Sequence, residues 1–180
     1  LHNRIGGIMI TIDGGTGIIL HNGVEIASDK MHDQWVVEAD ETITSAIVTS
    51  WSRSSLSYGA AYLTGMTHSS GIFTFPKTGI YRIDYKLNYY RNDNRRYVGA
   101  VAKLSTDSGY NYNDLTRSYT SIHEDSSNAH GTSFASVHVD VQNTSTYKLR
   151  FEVAADSSVV LYGANDDMRT TVMFERIANT

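Results

Sequence analysis

Apolar and polar side chains alternate along much of this 180-residue chain, and residues 81–89 show the alternation most clearly. An aromatic or aliphatic side chain occupies every second position there, and charged or amide side chains fill the positions between. Because successive side chains of a strand point to opposite faces, this pattern predicts a strand with one apolar face and one polar face. Such a strand is typical of an antiparallel sheet with one buried face.

The chain's only proline, Pro76, precedes this strand in the stretch GIFTFPKTGIYRIDYKLNYY, residues 71–90. Proline lacks an amide hydrogen and fixes φ, whereas Gly79 can adopt a positive φ, so both residues fit a turn. We therefore predict a hairpin, with a strand on either side of the proline turn.

The alternation continues towards the carboxyl terminus and predicts several further strands. They lie in SFASVHVDV (133–141), YKLRFEV (147–153), SSVVLYG (157–163) and RTTVMFERI (169–177). With the strand-like segments WVVEADETITSAIVTSW and SLSYGAAYL upstream, the count after residue 35 is about eight, as in a β-sandwich. Residues 106–132 are predicted to form a long polar loop in which only YTSI, residues 119–122, is a strand.

The sequence of the first thirty-four residues predicts a separate structural unit. Asp13-Gly14 and Asn22-Gly23 are strong hairpin-turn pairs flanked by β-branched residues, which predicts a small meander over residues 8–27. The polar residues 28–34 would then connect it to the rest of the chain. We therefore divide the chain into an N-terminal β-hairpin or meander extension, residues 1–34, and a main domain, residues 35–180.

Composition supports an all-β protein and excludes several functional classes. Twelve tyrosines, 14 glycines and a single proline favour strands and turns, and the absence of cysteine excludes disulfides, thiolate metal sites and cysteine nucleophiles. The formal charge of −4 gives no reason to expect a nucleic-acid partner. No apolar run reaches the roughly 20 residues that span a bilayer, so membrane insertion is not expected.

Candidate catalytic and metal-binding residues are few, and we predict no enzymatic activity, no catalytic residue and no cofactor. The seven histidines form no helical H-E-x-x-H pair, and neighbouring acidic residues such as Asp40-Glu41 point to opposite faces of an extended chain. Asp166 and Asp167 carry the oxygen ligands that calcium prefers, which makes them candidate Ca²⁺ ligands. The alternative is that they form an ordinary solvated turn.

One motif resembles a known family. Residues 71–81 match the G-x-F-x-x-P-x-x-G-x-Y signature of C1q-like domains of the C1q/TNF superfamily, and the order of the surrounding segments is similar over residues 45–177. The chain departs from the family pattern at its last strand. That strand usually ends in Ser/Thr-x-Phe-x-Gly, whereas here Phe174 is followed by Glu175 and Arg176, so that arginine stands in the place of the glycine.

The resemblance implies an antiparallel jelly-roll β-sandwich that assembles as a compact homotrimer. Aromatic and aliphatic residues of the alternating segments would then form the core or the trimer interface. These residues are Phe73, Phe75, Tyr81, Ile83, Tyr85, Leu87, Tyr89, Phe151 and Phe174.

The superfamily also suggests a non-enzymatic structural or receptor-binding role. The absence of cysteines and the surface rich in Ser, Thr, Asn and Tyr fit a phage or viral fibre tip or capsid-decoration protein, located on the virion. The N-terminal segment would contact other virion proteins. A secreted C1q-like recognition or signalling module and a polysaccharide-degrading tailspike domain are the alternatives.

The polar segment after residue 105 contains the residues that we expect to bind a host-surface glycan or protein. Exposed tyrosines with adaptable polar neighbours are typical of binding loops. The predicted binding residues are Tyr110, Tyr112, Asn113, Arg117 and Tyr119. The alternative is that these tyrosines cover the rim of the sandwich or a neighbouring subunit.

Overall fold

The computed structural model describes residues 2–5, 8–12, 19–21, 24–25, 31–54, 64–164 and 166–180, and within these residues the regular structure is entirely β. The described part of the chain contains no helix with the length and apolar character needed to cross a bilayer. Seventeen strands are present in these residues. They are β1 (His2–Ile5), β2 (Ile8–Ile12), β3 (Ile19–His21), β4 (Val24–Glu25), β5 (Met31–Val37), β6 (Glu41–Ile43), β7 (Ala46–Ile47), β8 (Trp51–Arg53), β9 (Thr67–Ser69), β10 (Ile72–Thr74), β11 (Gly79–Arg91), β12 (Arg95–Ser105), β13 (Asn113–Ile122), β14 (Ala129–Val141), β15 (Lys148–Ala155), β16 (Val159–Leu161) and β17 (Thr171–Ala178).

The strands after residue 30 form two antiparallel sheets. In the first, called sheet I, the order is β6-β16-β11-β17-β5-β8, and β14 pairs with the other edge of β11. In the second, called sheet II, the order is β13-β12-β15-β10-β9, and β7 also pairs with β15. Since the chain passes repeatedly from one sheet to the other, the architecture is a jelly roll, as predicted.

The core lies between the two sheets and is rich in aromatic rings. All nine residues predicted for the core or the trimer interface are buried within the single chain, with at most 1% of their surface exposed. The Phe73 ring packs edge-on against Phe151 at 5.5 Å and lies 5.2 Å from Phe174. Each buried aromatic removes about 150–250 Å² from water, at roughly 25 cal/mol per Å². Because these side chains expose almost none of their surface, any contact between subunits would have to use other residues.

The Pro76 turn does not form the predicted hairpin. β10 pairs with β9 and β15 in sheet II, whereas β11 pairs with β14 and β17 in sheet I, so the turn carries the chain from one sheet to the other. Phe75 and Tyr81, on either side of this turn, pack edge-on at 4.9 Å, and the Tyr81 hydroxyl donates to the Lys77 carbonyl. Alternation shows which face of a strand is buried, but it does not name the strand's partner.

The predicted long loop at 106–132 was also wrong. The strand predicted at residues 119–122 is present, but it is the end of the ten-residue β13, which pairs with β12 from Leu104 to Arg95 with two irregularities in register. The loop between β12 and β13 is therefore short, residues 106–112, and β14 begins at Ala129, four residues before the predicted strand.

The region near residue 31 carries a buried acidic group. Asp33, fully buried on β5, accepts hydrogen bonds from Trp35 Nε1 (3.0 Å), Arg53 Nε and Nη2 (2.9 and 3.0 Å) and the Met66 amide (2.7 Å). β5 pairs with β17 from Met31 onwards, so residues 31–34 belong to sheet I rather than to a junction. The division of the chain into residues 1–34 and 35–180 stays a prediction.

Four short strands before residue 26 form a separate antiparallel meander in the order β1-β2-β3-β4. β1 is an additional strand that the alternation did not predict. Both predicted turn pairs, Asp13-Gly14 and Asn22-Gly23, lie outside the described residues, as does the segment SLSYGAAYL, residues 55–63.

Candidate binding site

The loop between β12 and β13 is held in shape by its own side chains. The Asp107 carboxylate accepts from the Ser105 hydroxyl at 2.6 Å, from the Asn111 amide nitrogen at 2.9 Å and from the Asn111 side chain at 2.7 Å. The Ser105 oxygen in turn accepts from the backbone amide of Gly109 at 2.9 Å. A loop that is hydrogen-bonded internally loses less conformational entropy when it binds a partner.

This ordered loop presents an exposed aromatic side chain. Tyr110 is 86% exposed, the largest value among the described large hydrophobic residues. Tyrosine offers a rigid ring and a hydroxyl at low entropic cost, which is why binding surfaces use it. The loop therefore has the two properties of a recognition element, a fixed backbone and an available anchor.

The structure brings together some of the predicted binding residues and separates others. Tyr110 and Tyr112 lie on the loop, and Asn113 is the first residue of β13. Arg117 and Tyr119 lie further along β13, and Tyr119 is about 20 Å from Asn113 at 3.3 Å per residue. Tyr119 packs edge-on against the Tyr97 ring at 5.7 Å.

The outer face of sheet II between these two ends is covered by a network of ion pairs. Lys103 Nζ lies 2.9 Å from Glu152 and 3.6 Å from Asp114, Arg150 pairs with Glu152 at 2.7 Å, and Arg117 pairs with Asp114. Since the groups are partly exposed, each pair contributes modestly to stability. Together they fix the charged side chains of this face in one arrangement.

A groove of about 470 Å³ borders the loop on the same side of the molecule. It runs between the β9–β10 region and the β12–β13 loop, and Lys148 lies at its edge on β15. Its lining is Thr67, His68, Ser69, Ser70, Ile72, Thr74, Ser108, Gly109, Tyr112 and Lys148. We call this the Lys148 groove.

Sequence reasoning found only Tyr112 among the groove residues. The segments that meet there are 67–74, 108–112 and residue 148, which are far apart in the chain. The local signals available were the two Ser-Gly pairs at 70–71 and 108–109, which are typical of turns. They predict turns but not that the turns face one another.

His68 connects the groove to the core. Its ring lies 4.8 Å from Phe73 and 5.5 Å from Trp35, and its Nε2 accepts a hydrogen bond from the Gly71 amide at 2.9 Å. Burial lowers the pKa of His68, so the ring is neutral at neutral pH with its proton on Nδ1.

The predicted calcium ligands, Asp166 and Asp167, lie in the segment between β16 and β17. Asp167 is paired with Arg169 at 3.0 Å, Asp166 is exposed, and Asn165 beside them lies outside the described residues. Within the described ranges, no group of three or more His, Asp or Glu side chains lies close enough to hold a metal ion. The calcium ligands therefore stay a prediction.

The hydrogen bonds that Asp107 accepts predict an unusually low pKa for its carboxyl group. Hydrogen bonds from Ser105 and Asn111 lower the pKa of Asp107 from 3.8 to about 2. Because the folded-state pKa lies below the unfolded value, these bonds stabilise the loop above pH 3.8 and are lost as the pH falls towards 2. A ¹³C NMR titration of the Asp107 carboxyl should give a midpoint near 2, and Asn111→Ala should move it up. A midpoint near 3.8 in the unaltered chain would contradict the network.

Comparisons with known proteins agree with the architecture. No protein-family model matches the sequence, and no curated protein is significantly similar to it. Among solved structures, murine APRIL at pH 5.0 matches 83% of this chain and 100% of its own, with 13% identity and a TM-score of 0.61. The Eiger TNF from S. frugiperda matches 84% of this chain and 94% of its own, with 10% identity and a TM-score of 0.64. The chain therefore has the TNF-like jelly-roll fold that the resemblance implied.

Proposed function

We propose that this chain is a non-enzymatic, homotrimeric recognition module that presents the β12–β13 loop to its target. The observation that carries the proposal is Tyr110, an 86% exposed aromatic on a loop fixed by the Asp107 network. Exposing a large ring on an ordered loop has no benefit for folding. It does provide a preorganised anchor for a partner.

The outer face of sheet I is the surface that we propose for subunit contacts. Four large hydrophobic side chains are exposed in the described residues, and the two that lack a hydroxyl, Phe134 and Ile177, both lie on this face. The outer face of sheet II instead carries the ion-pair network and the Lys148 groove. A second and third copy on sheet I would cover apolar surface and leave the groove accessible.

We place the module on a virion, as a fibre tip or capsid-decoration domain, with residues 1–34 docking it to other virion proteins or joining the subunits. A secreted recognition or signalling module is the second candidate, and the likeness to murine APRIL and to the Eiger TNF favours it. Both candidates use the same trimer and the same loop. A polysaccharide-degrading tailspike domain is less well supported, because the two carboxylates that approach each other on sheet II, Asp114 and Glu152, are both ion-paired with Lys103.

The native mass measured by light scattering tests the proposal. Three chains of 20.0 kDa give about 60 kDa, whereas a monomer at micromolar concentration would overturn the homotrimer. Trimers of this kind bury large interfaces, so the mass should not change on moderate dilution. Attachment to host cells or purified surface glycans, lost on Tyr110→Ala, would then support the virion role over the secreted one.

A further inference from the structure

The Lys148 groove contains a cation without a charged partner. Lys148 Nζ donates to Thr74 Oγ1 at 3.2 Å and to the Thr144 carbonyl at 3.3 Å, and both acceptors are neutral. Within the described ranges, no carboxylate lies at ion-pair distance from it, although Lys103 and Arg150 on the same sheet are both paired. An ammonium group has three donors, so one remains for a ligand.

The walls of the groove are rich in hydroxyl groups. Thr67, Ser69, Ser70, Thr74 and Ser108 all line it, together with the aliphatic side chain of Ile72 and the ring of Tyr112. The Tyr112 hydroxyl is buried and has no hydrogen-bond partner in the described residues.

The backbone around the groove is strained at two points. Ser70 has φ of 50° and Ser108 has φ of 67°, and they are the only non-glycine residues with positive φ in the described part of the chain. Both line the groove, one from each of its opposing turns. A left-handed conformation is energetically unfavourable for a non-glycine residue, and such outliers concentrate at functional sites. Glycine at either position would adopt this conformation without that cost, whereas serine adds a hydroxyl group to the wall of the groove.

We infer that the Lys148 groove binds a carboxylated saccharide, with the carboxylate at Lys148 and the sugar hydroxyls along the Ser and Thr side chains. The inference rests on the proposed recognition function and names the ligand class of its site. The volume of about 470 Å³ lies within the range of small-ligand sites, roughly 300–1,000 Å³. A single ammonium matches the single negative charge of a carboxylate on a polyhydroxylated ring, whereas a phosphate monoester carries about −1.5 to −2 at pH 7 and calls for more than one cation.

Titration of the ¹⁵N-labelled chain with methyl β-glucuronide, followed by NMR, tests this inference. The matched ligand is methyl β-glucoside, which differs only in having a hydroxymethyl group in place of the carboxylate. We expect the glucuronide to bind at least tenfold more tightly and to shift the amide signals of the groove. Lys148→Gln should remove that advantage and leave glucoside binding unchanged.

The control variant is Arg96→Gln, which removes an exposed cation near the opposite end of β12, about 30 Å away at 3.3 Å per residue. It should bind the glucuronide as the unaltered chain does. Equal affinity for both glycosides, no binding of either, or full binding by the Lys148→Gln chain would overturn the inference. Light scattering on the same samples separates the two proposals, since a trimer that binds neither glycoside refutes only the groove. A monomer that binds the glucuronide refutes only the trimer.

Discussion

Replacing Asp33 with alanine should destabilise the domain by about 3 kcal/mol. The carboxylate is fully buried and accepts from the Trp35 indole, the Met66 amide and the Arg53 guanidinium. Its removal leaves two buried N–H donors without an acceptor, each at a cost of roughly 1–3 kcal/mol. Because the Arg53 side chain is 41% exposed, water replaces part of its lost partner and limits the total.

The measurement is the thermal midpoint at fixed protein concentration, because a trimer's Tm depends on concentration. For a chain of this size, a loss of about 3 kcal/mol corresponds to a fall of roughly 6–12 °C. Asp33→Asn preserves the shape but not the acceptor capacity, so its fall should lie between that of the alanine variant and zero. Asp156→Ala is the matched control, since Asp156 is exposed and accepts only the Arg96 amide among the bonds described. Equal midpoints for the Asp33→Ala and Asp156→Ala variants would contradict the buried role.

Asp33 also shows why the sequence could not predict this cluster. The stretch SDKMHDQ is polar, and polarity predicts an exposed junction, whereas here the carboxylate is buried because its donors arrive from Trp35, Arg53 and Met66. Two of those residues are 20 and 33 positions away. Polarity alone therefore suggests a junction at residues 28–34, although strand β5 already starts at Met31.

Local periodicity predicted the faces of strands correctly wherever one face is fully buried. Tyr81 to Tyr89 on β11 and Leu149 to Val153 on β15 alternate between core and outside as their side chains suggest. Only the end of β13, residues 119–122, was predicted. The rest was missed because β13 is an edge strand whose residues are mostly polar on both faces, so no apolar period marks it. Alternation of apolar and polar side chains therefore indicates that one face of a strand is buried. It does not identify strands that are polar on both faces.

Pairing and site formation depend on contacts between distant segments. The sequence predicts a strand before Pro76, which is β10, but the neighbours of this strand, β9 and β15, follow from the global topology. The Lys148 groove has the same origin, since its lysine comes from a strand start about forty residues after the tyrosine loop. The exposure of Tyr110 could be predicted because it follows from a polar loop, a local property.

Phe134→Arg should convert the proposed trimer into a folded monomer, with the native mass falling from about 60 to about 20 kDa. Phe134 lies in the middle of β14, opposite Lys86, and half of its surface is exposed on the outer face of sheet I. In a threefold assembly that buries this face, an arginine would place an unpaired charge in every interface. Breaking association in this way requires no loss of the fold, because the side chain points away from the core.

Light scattering gives the mass, and circular dichroism shows that the monomer keeps its strands. Tyr110→Arg is the matched control, because it introduces the same charge at an aromatic that is still more exposed but lies on the recognition loop. It should remain a trimer of about 60 kDa. If Phe134→Arg also remained a trimer, the outer face of sheet I would not be the interface. If both variants dissociated, the subunits would instead meet through the β12–β13 loop, and Tyr110 would be a trimer contact rather than a recognition anchor.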